Sequence, residues 1–504
     1  KKLIYTVLSI VVISGCAKRG SPTGGLIDSI PPVLINSSPK INSTNFDSDE
    51  IRLTFDEFVK LDKVEEQLII SPPLDKNSYE VKPLNGVTKK IFLEFIDSLE
   101  TETTYSINFG NSIKDNNEGN PLTFFSYTFS TGETIDSLYV RGNISDAFDK
   151  ESDDYISIHL YRIDSVFNDS IIFNNRPTYI SNSLDSTNYR FKNLKEGEYL
   201  IVALKDIDNN YFFDPFYDKI GFIDSLITLP RDSIINFKLF KEETSLIWDK
   251  PHFINSEKIG FGYYGKLDLK NIKIKSSIPD SVQYTYTKEN EKDTLVFWLS
   301  KNSFDSLNFN LIEKDTTKLV TVKFDRARDT LIDSLSISAK TANVIHLKET
   351  FKLSSNIPLK NIKDSLITIR DIDSLIIPFT TSINDNLDQI DIKFEVSPSD
   401  NYRIFILPDA IKDIRGVSND TLQYNVVSQT LEDYGNVYLD VIRNSESKFI
   451  LHMINNDGDI IREFKNVTQN TTYNFDYVRP GKYTFRLIED TNNNDIWDTG
   501  NYLK

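Results

Sequence analysis

The stretch Ile51-Arg52-Leu53-Thr54-Phe55-Asp56 alternates apolar and polar residues, which is the pattern of a strand with one face in a core and the other in solvent. Further runs of strand-forming residues follow: Ile91-Phe92-Leu93-Glu94-Phe95, Tyr105-Ser106-Ile107-Asn108-Phe109, Thr294-Leu295-Val296-Phe297-Trp298 and Tyr402-Arg403-Ile404-Phe405-Ile406. Clusters of Asp, Asn and Ser interrupt the apolar runs roughly every 8–12 residues, a spacing typical of β-sandwiches. The sequence therefore predicts an all-β fold.

Length and composition predict a protein of several domains that does not bind nucleic acid. The chain has 504 residues, and because one hydrophobic core stops growing at about 250–300 residues, several domains are expected. The net charge of −17 and the absence of a basic block argue against nucleic acid as a partner. Cys16 is the only cysteine, so no disulfide can form within the chain, and each domain must be held by its own apolar core.

The N-terminus has the features of an export signal. Two lysines precede a short apolar run, which ends in Ile13-Ser14-Gly15-Cys16. This run is shorter than the ~20 residues that cross a bilayer, and its small-residue end is typical of a cleavage site. It resembles a bacterial lipobox, in which the cysteine is lipidated. We expect a lipoprotein signal peptide over residues 1–16, lipid on Cys16 and a flexible tether over 17–30; an ordinary signal that contains a cysteine is the alternative.

Residues 31–133 carry an ordered set of short motifs. They are Pro31-Pro32, Leu53-Thr54-Phe55-Asp56-Glu57, Tyr105-Ser106-Ile107-Asn108-Phe109, Ile113-Lys114-Asp115 and Phe129-Ser130-Thr131-Gly132. In this order they resemble the bacterial Ig-like domain. Together with Cys16 and Pro22-Thr23-Gly24-Gly25 they are similar to an outer-membrane lipoprotein family of the Bacteroidetes. That resemblance implies outer-membrane protein partners, with the β-barrel assembly machinery suspected, on either the periplasmic or the cell-surface face.

A second copy of the Ig-like pattern is predicted over residues 343–431. There Tyr402-Arg403-Ile404-Phe405-Ile406 and Ile411-Lys412-Asp413 match the first copy, with one residue inserted between them. Residues 245–342 carry further strand pattern and are predicted to form a β-rich domain without a family assignment.

The strongest internal repeat has a constant offset of 284 residues, at which Tyr189 recurs as Tyr473 and Asp214 as Asp498. It predicts two homologous small sandwiches, over residues 134–244 and 432–504. They resemble transthyretin-like or carboxypeptidase-regulatory-like modules. The first copy continues further beyond its last matched aspartate than the second does, so we expect the second to be truncated at its C-terminus.

Each repeat contains a loop with side-chain oxygens at positions 1, 3, 5 and 9: Asp206, Asp208, Asn210 and Asp214, and then Asp490, Asn492, Asn494 and Asp498. Ca²⁺ binds about 6–8 oxygens, and this spacing lets a tight loop turn several of them inward. The loop is not an EF-hand, because Tyr211 occupies position 6. We predict structural Ca²⁺ as the only cofactor, bound more weakly by the second copy; loops built from Asx-turns are the alternative.

Asp-Ser or Asp-Thr precedes an aliphatic residue fifteen times, as in Asp97-Ser98-Leu99 and Asp420-Thr421-Leu422. These triplets resemble the O-glycosylation acceptors of exported Bacteroidetes proteins. The alternative is structural: Asp-Ser ends a turn and the aliphatic residue begins a strand.

Catalytic constellations are largely absent from the sequence. The four histidines are scattered, with no zinc-binding spacing, and there is no nucleophile elbow or phosphate loop. We therefore predict a non-catalytic envelope lipoprotein that acts as an Ig-like scaffold or interaction protein, with a possible accessory role in outer-membrane protein assembly. Two alternatives are a glycan-binding surface lipoprotein with exposed tryptophans, and a hydrolase that uses an acidic pair such as Asp56-Glu57.

Overall fold

The computed structural model describes residues 28–503 except 124, 164–166, 268–271, 277, 280, 290–291, 302–303, 314–315, 325–332, 443–446 and 468–470. Nearly all the described elements are β-strands in paired sheets, so the predicted all-β fold with tandem sandwiches is confirmed. The chain divides into two compact units. The first contains residues up to 147 with 151–213 and 219–239, and the second contains 148–150, 214–218 and the residues from 240 onward.

The first sandwich consists of two antiparallel sheets. Its strands are β1 Leu34–Ser38, β2 Glu50–Leu61, β3 Ile69–Ser71, β4 Tyr79–Lys82, β5 Thr88–Phe95, β6 Thr104–Asn108, β7 Ile113–Asp115 and β8 Ser126–Ser130, with helix α1 Val64–Gln67. One sheet has the order β1-β2-β5-β4, with β7 beside β2, and the other has the order β3-β6-β8.

The core of this sandwich follows from the alternation along β2. Ile51, Leu53 and Phe55 are buried, as the pattern predicts. Phe129 on the facing sheet is also buried, and its ring centroid lies 5.9 Å from that of Phe95 on β5. The two sheets are therefore held together by apolar and aromatic side chains that point inward from alternate positions.

The second sandwich belongs to the first unit. Its strands are β9 Leu138–Asp146, β10 Ser157–Arg162, β11 Tyr179–Asn182, β12 Asn188–Leu194, β13 Gly197–Lys205, β14 Lys219–Phe222, β15 Ile227–Leu229 and β16 Phe237–Leu239, with helix α2 Ile171–Asn174. One sheet has the order β11-β10-β13-β14, with β15 beside β13. The other has the order β12-β9-β16, in which β16 joins β9 in parallel.

The third domain is the first one in the continuous part of the second unit, which begins at residue 240. Its strands are β17 Ile247–Trp248, β18 His252–Asn255, β19 Lys258–Tyr264, β20 Ile272–Ser276, β21 Tyr284–Lys288, β22 Thr294–Leu299, β23 Ser306–Glu313 and β24 Thr316–Lys323. The sheets have the orders β17-β19-β22-β21, with β18 beside β19, and β20-β23-β24. Phe261, Phe297 and Phe309 meet edge to face in the core.

The fourth domain covers the residues predicted to form a second Ig-like copy. Its strands are β25 Ile337–Ala339, β26 Val344–Ile345, β27 Phe351–Ser355, β28 Leu359–Ile362, β29 Ile367–Arg370, β30 Phe379–Ile383, β31 Gln389–Phe394, β32 Asn401–Ile406, β33 Ile411–Asp413 and β34 Leu422–Ser428, with 3-10 turns at Asp364–Leu366 and Leu431–Asp433. The sheets are β25-β27-β31-β30, β26-β34-β32-β29 and the pair β28-β33.

The same turn follows β7 in the first sandwich and β33 in the fourth. Asp115 accepts the backbone N–H groups of Glu118 and Asn120, both at 2.7 Å. Asp413 likewise accepts the N–H of Val417 at 2.9 Å. In both copies the aspartate of the Ile-Lys-Asp motif therefore closes the turn that follows it.

The last sandwich contains β35 Gly435–Val441, β36 Lys448–Ile454, β37 Ile460–Val467, β38 Thr471–Val478 and β39 Thr484–Asp490. Among the described residues β35 pairs with β38 alone, whereas its counterpart β9 also pairs with β16. Tyr483 is half-buried, whereas its counterpart Tyr199 is fully buried. The core of the second copy is therefore more open than that of the first.

The two repeats share backbone conformation as well as sequence. Left-handed φ angles occur at Asn209 and Tyr211 in the first copy and, 284 residues later, at Asn493 and Asp495. Tyr199 and Tyr483 each donate the side-chain O–H to a backbone carbonyl four residues earlier, at 2.9 and 2.8 Å. The repeat inferred from the sequence is thus also a repeat of local geometry.

His159 on β10 is fully buried, and its Nε2 lies 2.8 Å from the Ser157 hydroxyl. Burial lowers the pKa of His159 to about 3. The unfolded chain binds this proton near pH 6.5, so folding stability should fall as the pH drops below about 6.5, by up to about 1.4 kcal/mol per pH unit. Hydrogen exchange of the β10 amides at pH 7 and pH 5, corrected for intrinsic rates, measures this loss.

The control is His159→Gln, which removes the titrating group and should flatten the pH dependence of β10 protection between pH 7 and pH 5. An unchanged pH dependence in this variant would show that another group is responsible.

Candidate functional site

The predicted lipidation site, Cys16, lies outside the described residues. None of the helices among the described residues is long and apolar enough to cross a bilayer. The lipid anchor therefore stays a prediction.

In the first Asp/Asn loop the aspartate at position 1 is used by the backbone. The carboxylate of Asp206 accepts the N–H of Tyr211 at 2.8 Å and that of Asn210 at 3.2 Å. Burial raises the pKa of Asp206, while these N–H groups oppose the rise. Asp208 is exposed, and the carboxylate of Asp214 accepts the N–H of Phe216 at 2.9 Å. This is the geometry of the Asx-turn alternative.

The second loop brings three of its four predicted ligands together. Asn492 and Asn494 donate their side-chain amides to the carboxylate of Asp498, at 2.8 and 3.0 Å. Asp490 accepts the N–H groups of Asn494 and Asp495 at 3.1 and 3.0 Å, so it closes the loop as Asp206 does.

These contacts show which side chains would have to rotate before the second loop could bind a cation. In the second loop the two amides present nitrogen to Asp498, so both would have to turn their oxygens inward to coordinate Ca²⁺. Among the described residues no group of three or more His, Cys, Asp or Glu side chains is placed to hold a metal ion. The predicted ligands of these loops include asparagine oxygens as well as carboxylates, so calcium at these loops stays a prediction.

The Asp-Ser/Thr triplets lie at the surface. In every triplet that the structure describes in full, the hydroxyl residue is exposed or half-buried. This placement suits both a modification site and the end of a turn, so both interpretations stand.

The tryptophans are not arranged as a carbohydrate platform. Trp248 and Trp298 are each 8% exposed, and Trp298 donates its indole N–H to Thr287 at 2.8 Å. Trp497 is half-buried against Phe148. Glycan binding through exposed Trp248 and Trp298 therefore loses its main support.

The acidic pair proposed for a hydrolase lies on β2. Asp56 is exposed, and its carboxylate accepts the N–H of Val33 at 2.8 Å. Glu57 is half-buried, and burial, followed by the charge of Asp115, raises its pKa. Asp56 is thus engaged in holding β1 against β2.

The first unit contains a cleft of about 840 Å³ between its two sandwiches. One wall is the sheet β3-β6-β8, which contributes Ser71, Ser106, Asn108 and Ser126. The other wall comes from the second sandwich and is lined by Arg141, Asn143, Ser181, Asn182, Ser186, Asn188, Arg190 and Lys192. None of the residues that line the cleft is acidic, although the whole chain carries a net charge of −17.

Sequence reasoning missed this cleft. Its two walls come from separate domains, and its hydroxyl and amide side chains are common throughout the chain. The one local signal is the charge on β12, where Arg190 and Lys192 alternate with the buried Tyr189 and Phe191.

Comparison with known proteins identifies the first sandwich. Residues 28–131 match the family model of the bacterial Ig-like domain, which confirms the prediction for this part of the chain. None of the curated protein sequences matches the chain significantly.

Several solved structures are similar to the chain at low identity. Domains 5–6 of the S-layer protein SbsC match with 9% identity over 37% of this chain and 100% of that one, with a TM-score of 0.17. Domains 1–6 of SbsC match with 10% identity over 92% of this chain and 63% of that one, with a TM-score of 0.16. SGBP-B of the Bacteroides ovatus mixed-linkage glucan utilization locus matches with 11% identity over 71% and 93%, with a TM-score of 0.17.

Substitutions of Asp206 and Asp208 distinguish a calcium site from a loop built from Asx-turns. Asp206→Ala should destabilise the second sandwich by about 1–3 kcal/mol with or without Ca²⁺, because two backbone N–H groups lose their acceptor. The matched variant Asp208→Ala changes an exposed side chain and should have no effect in EGTA. Hydrogen exchange of β13 in EGTA and in 1 mM CaCl₂ measures both.

If Ca²⁺ binds, it protects the wild-type loop and Asp208→Ala abolishes that protection. Equal exchange in EGTA and CaCl₂ would contradict a calcium site here.

Proposed function

We propose that the chain is a non-catalytic scaffold of the bacterial cell envelope, anchored in the outer membrane through lipid on Cys16 and contacting outer-membrane proteins. The lipobox-like residues 13–16 and the Ig-like match over residues 28–131 support this proposal. The observation that carries it is that sandwiches within a unit are joined by specific contacts, of which the Arg415 network and the Ser71–Ile180 hydrogen bond are buried. A scaffold needs such joints because they fix the positions of its modules.

In the first unit the joint is a set of hydrogen bonds. Asp136 donates its N–H to the hydroxyl of Thr104 at 3.0 Å and accepts the side-chain amide of Asn193 at 2.9 Å. Ile180 on β11 donates its N–H to the hydroxyl of Ser71 on β3 at 3.1 Å, and both residues are buried. Separating the sandwiches would expose these groups and the apolar surface beside them.

In the second unit an ion-pair network joins the third and fourth domains. The guanidinium of Arg415 lies 2.7 Å from Asp413 and 3.1 Å from Glu257, which precedes β19. The Arg415 side chain is only 9% exposed. Burial raises the pKa of Glu257, and the positive charge of Arg415 opposes that rise. Beside the network, Trp298 packs with Ile414 in an apolar cluster.

A further joint connects the fourth domain with the last sandwich. His346 Nε2 lies 2.5 Å from the carbonyl oxygen of Tyr477. Lys348 lies 3.6 Å from the carboxylate of Asp476, and its ammonium group lies over the Tyr477 ring at 5.1 Å. This joint is more exposed than the Arg415 network, so its ion pair should contribute little by itself.

Arg415→Ala should destabilise the joint between the third and fourth domains by about 3–5 kcal/mol, because it removes the cation that the buried Asp413 carboxylate and Glu257 share. Urea unfolding followed by hydrogen exchange of β33 and β19 measures the loss. The matched control is Arg52→Ala, which breaks an exposed pair with Glu50 and should leave both segments unchanged. Equal effects of the two variants would contradict a buried network.

The envelope role is tested by gentle crosslinking and pull-down from outer membranes of the native host. The wild-type chain should incorporate an alkyne-labelled fatty acid and co-purify β-barrel assembly proteins. Cys16→Ser should lose the label and leave the membrane fraction. A sugar transporter as the captured partner would favour glycan binding, and an unlabelled wild-type chain would contradict lipid anchoring.

A further inference from the structure

We propose that the cleft of the first unit binds an anionic glycan, that is, an oligosaccharide carrying carboxylate or phosphate groups. The cleft of about 840 Å³ is large enough for several sugar units. Its cations lie on the side of the second sandwich, and its neutral hydrogen-bonding groups lie on both walls.

The cations are placed by strand register. Arg190 on β12 lies directly opposite Arg141 on β9, and Asn188 lies opposite Asn143 in the same ladder. Lys192 follows two positions along β12, so its side chain emerges on the same face as that of Arg190. All three cations are exposed, and none forms an ion pair with a carboxylate among the described residues.

This pairing is unfavourable in the absence of a ligand. Side chains directly opposite each other in an antiparallel pair have Cβ atoms about 4.5–5.5 Å apart, and like charges at that separation repel. Acidic side chains are abundant in the chain, with 74 Asp and Glu residues, yet none lines the cleft. An anion between Arg141 and Arg190 would relieve the repulsion and could bind both guanidinium groups.

The backbone beneath Arg141 is held in place. Its N–H donates to the carbonyl of Ser233 at 3.0 Å, and its carbonyl accepts the N–H of Ile235 at 3.0 Å. A Cβ on the neighbouring Gly142 would lie 1.5 Å from the carbonyl oxygen of Ile235, so only glycine permits this close approach.

On the other strand, the Arg190 guanidinium lies over the ring of Tyr139 at 5.6 Å. The side chain of Arg190 and the backbone of Arg141 are therefore partly pre-positioned.

The opposite wall suits sugar hydroxyls. Ser106, Asn108 and Ser126 are half-buried along β6 and β8, and the hydroxyls of Ser106 and Ser126 lie 3.2 Å apart. Hydroxyl and amide groups both donate and accept hydrogen bonds, as sugar hydroxyls do. Twelve of the eighteen residues that line the cleft are Ser, Asn, Arg or Lys, and the apolar ones, such as Tyr189 and Phe191, lie between them along the strands. A peptide ligand would be expected to use separate apolar pockets for alternate side chains, whereas a sugar ring presents hydroxyls beside apolar C–H faces. The lining therefore favours a glycan over an acidic peptide.

Calorimetric titration of the whole chain with an oligogalacturonate tetramer, a phosphorylated oligomannose and neutral cellotetraose tests the proposal. At least one anionic glycan should bind, more weakly as salt is raised, and cellotetraose should bind at least tenfold more weakly. The double variant Arg141→Gln/Arg190→Gln should weaken anionic-glycan binding at least tenfold. Arg231→Gln, which removes an arginine that is 74% exposed and does not line the cleft, should bind as the wild type does.

Thermal unfolding of the same variants separates binding from a structural role. Since the double variant removes a like-charge pair, its unfolding temperature should equal or exceed that of the wild type. Lost binding together with a lowered unfolding temperature would overturn the proposal, as would unchanged binding in the double variant. Tighter binding of an oligoglutamate peptide than of either anionic glycan would also overturn it and assign the cleft to acidic peptides.

Discussion

The fold depends on apolar side chains that alternate along each strand, because a chain with a single cysteine has no disulfide to replace them. In the first sandwich Ile51, Leu53 and Phe55 enter the core from one strand, and Phe129 meets them from the facing sheet. Polar side chains at the ends of strands close turns, as Asp115 does in the first sandwich and Asp413 in the fourth domain. Its own core and turns make each sandwich a separate folding body. The contacts between sandwiches of one unit then determine which surfaces stay accessible to a ligand.

Those contacts differ in kind. In the first unit, backbone groups and small polar side chains form the joint, and the walls beside it diverge into a polar cleft. In the second unit, Arg415 bridges two carboxylates from different domains next to the buried Trp298. Arg415 and Trp298, a cation and an aromatic side chain of the kinds that bind ligands elsewhere, are therefore used here for assembly. The surface that stays available to a ligand is the cleft wall with Arg141 and Arg190, which is cationic although the whole chain is acidic.

Local patterns predicted local structure well. The alternation at 51–56, the Ile-Lys-Asp turn and the repeat at an offset of 284 residues all correspond to strands, turns and backbone angles. The joints and the cleft could not be predicted in this way. Glu257 and Arg415 are 158 residues apart, and Ser71 and Ile180 are 109 apart, so nothing in either local sequence indicates its partner. The sequence around Trp298 predicts a strand. It does not indicate that Trp298 packs against Ile414 of the next domain.

Within each unit, hydrogen-bonded or ion-paired joints, and not free linkers, connect neighbouring sandwiches. A pulsed electron-paramagnetic-resonance distance between spin labels at Lys90→Cys on β5 and Glu198→Cys on β13, in a chain with Cys16→Ala, tests it directly in the first unit. Both sites are exposed and lie on strands of different sandwiches. A fixed joint predicts one narrow distance distribution, whereas a broad distribution of the kind given by a flexible linker would contradict it.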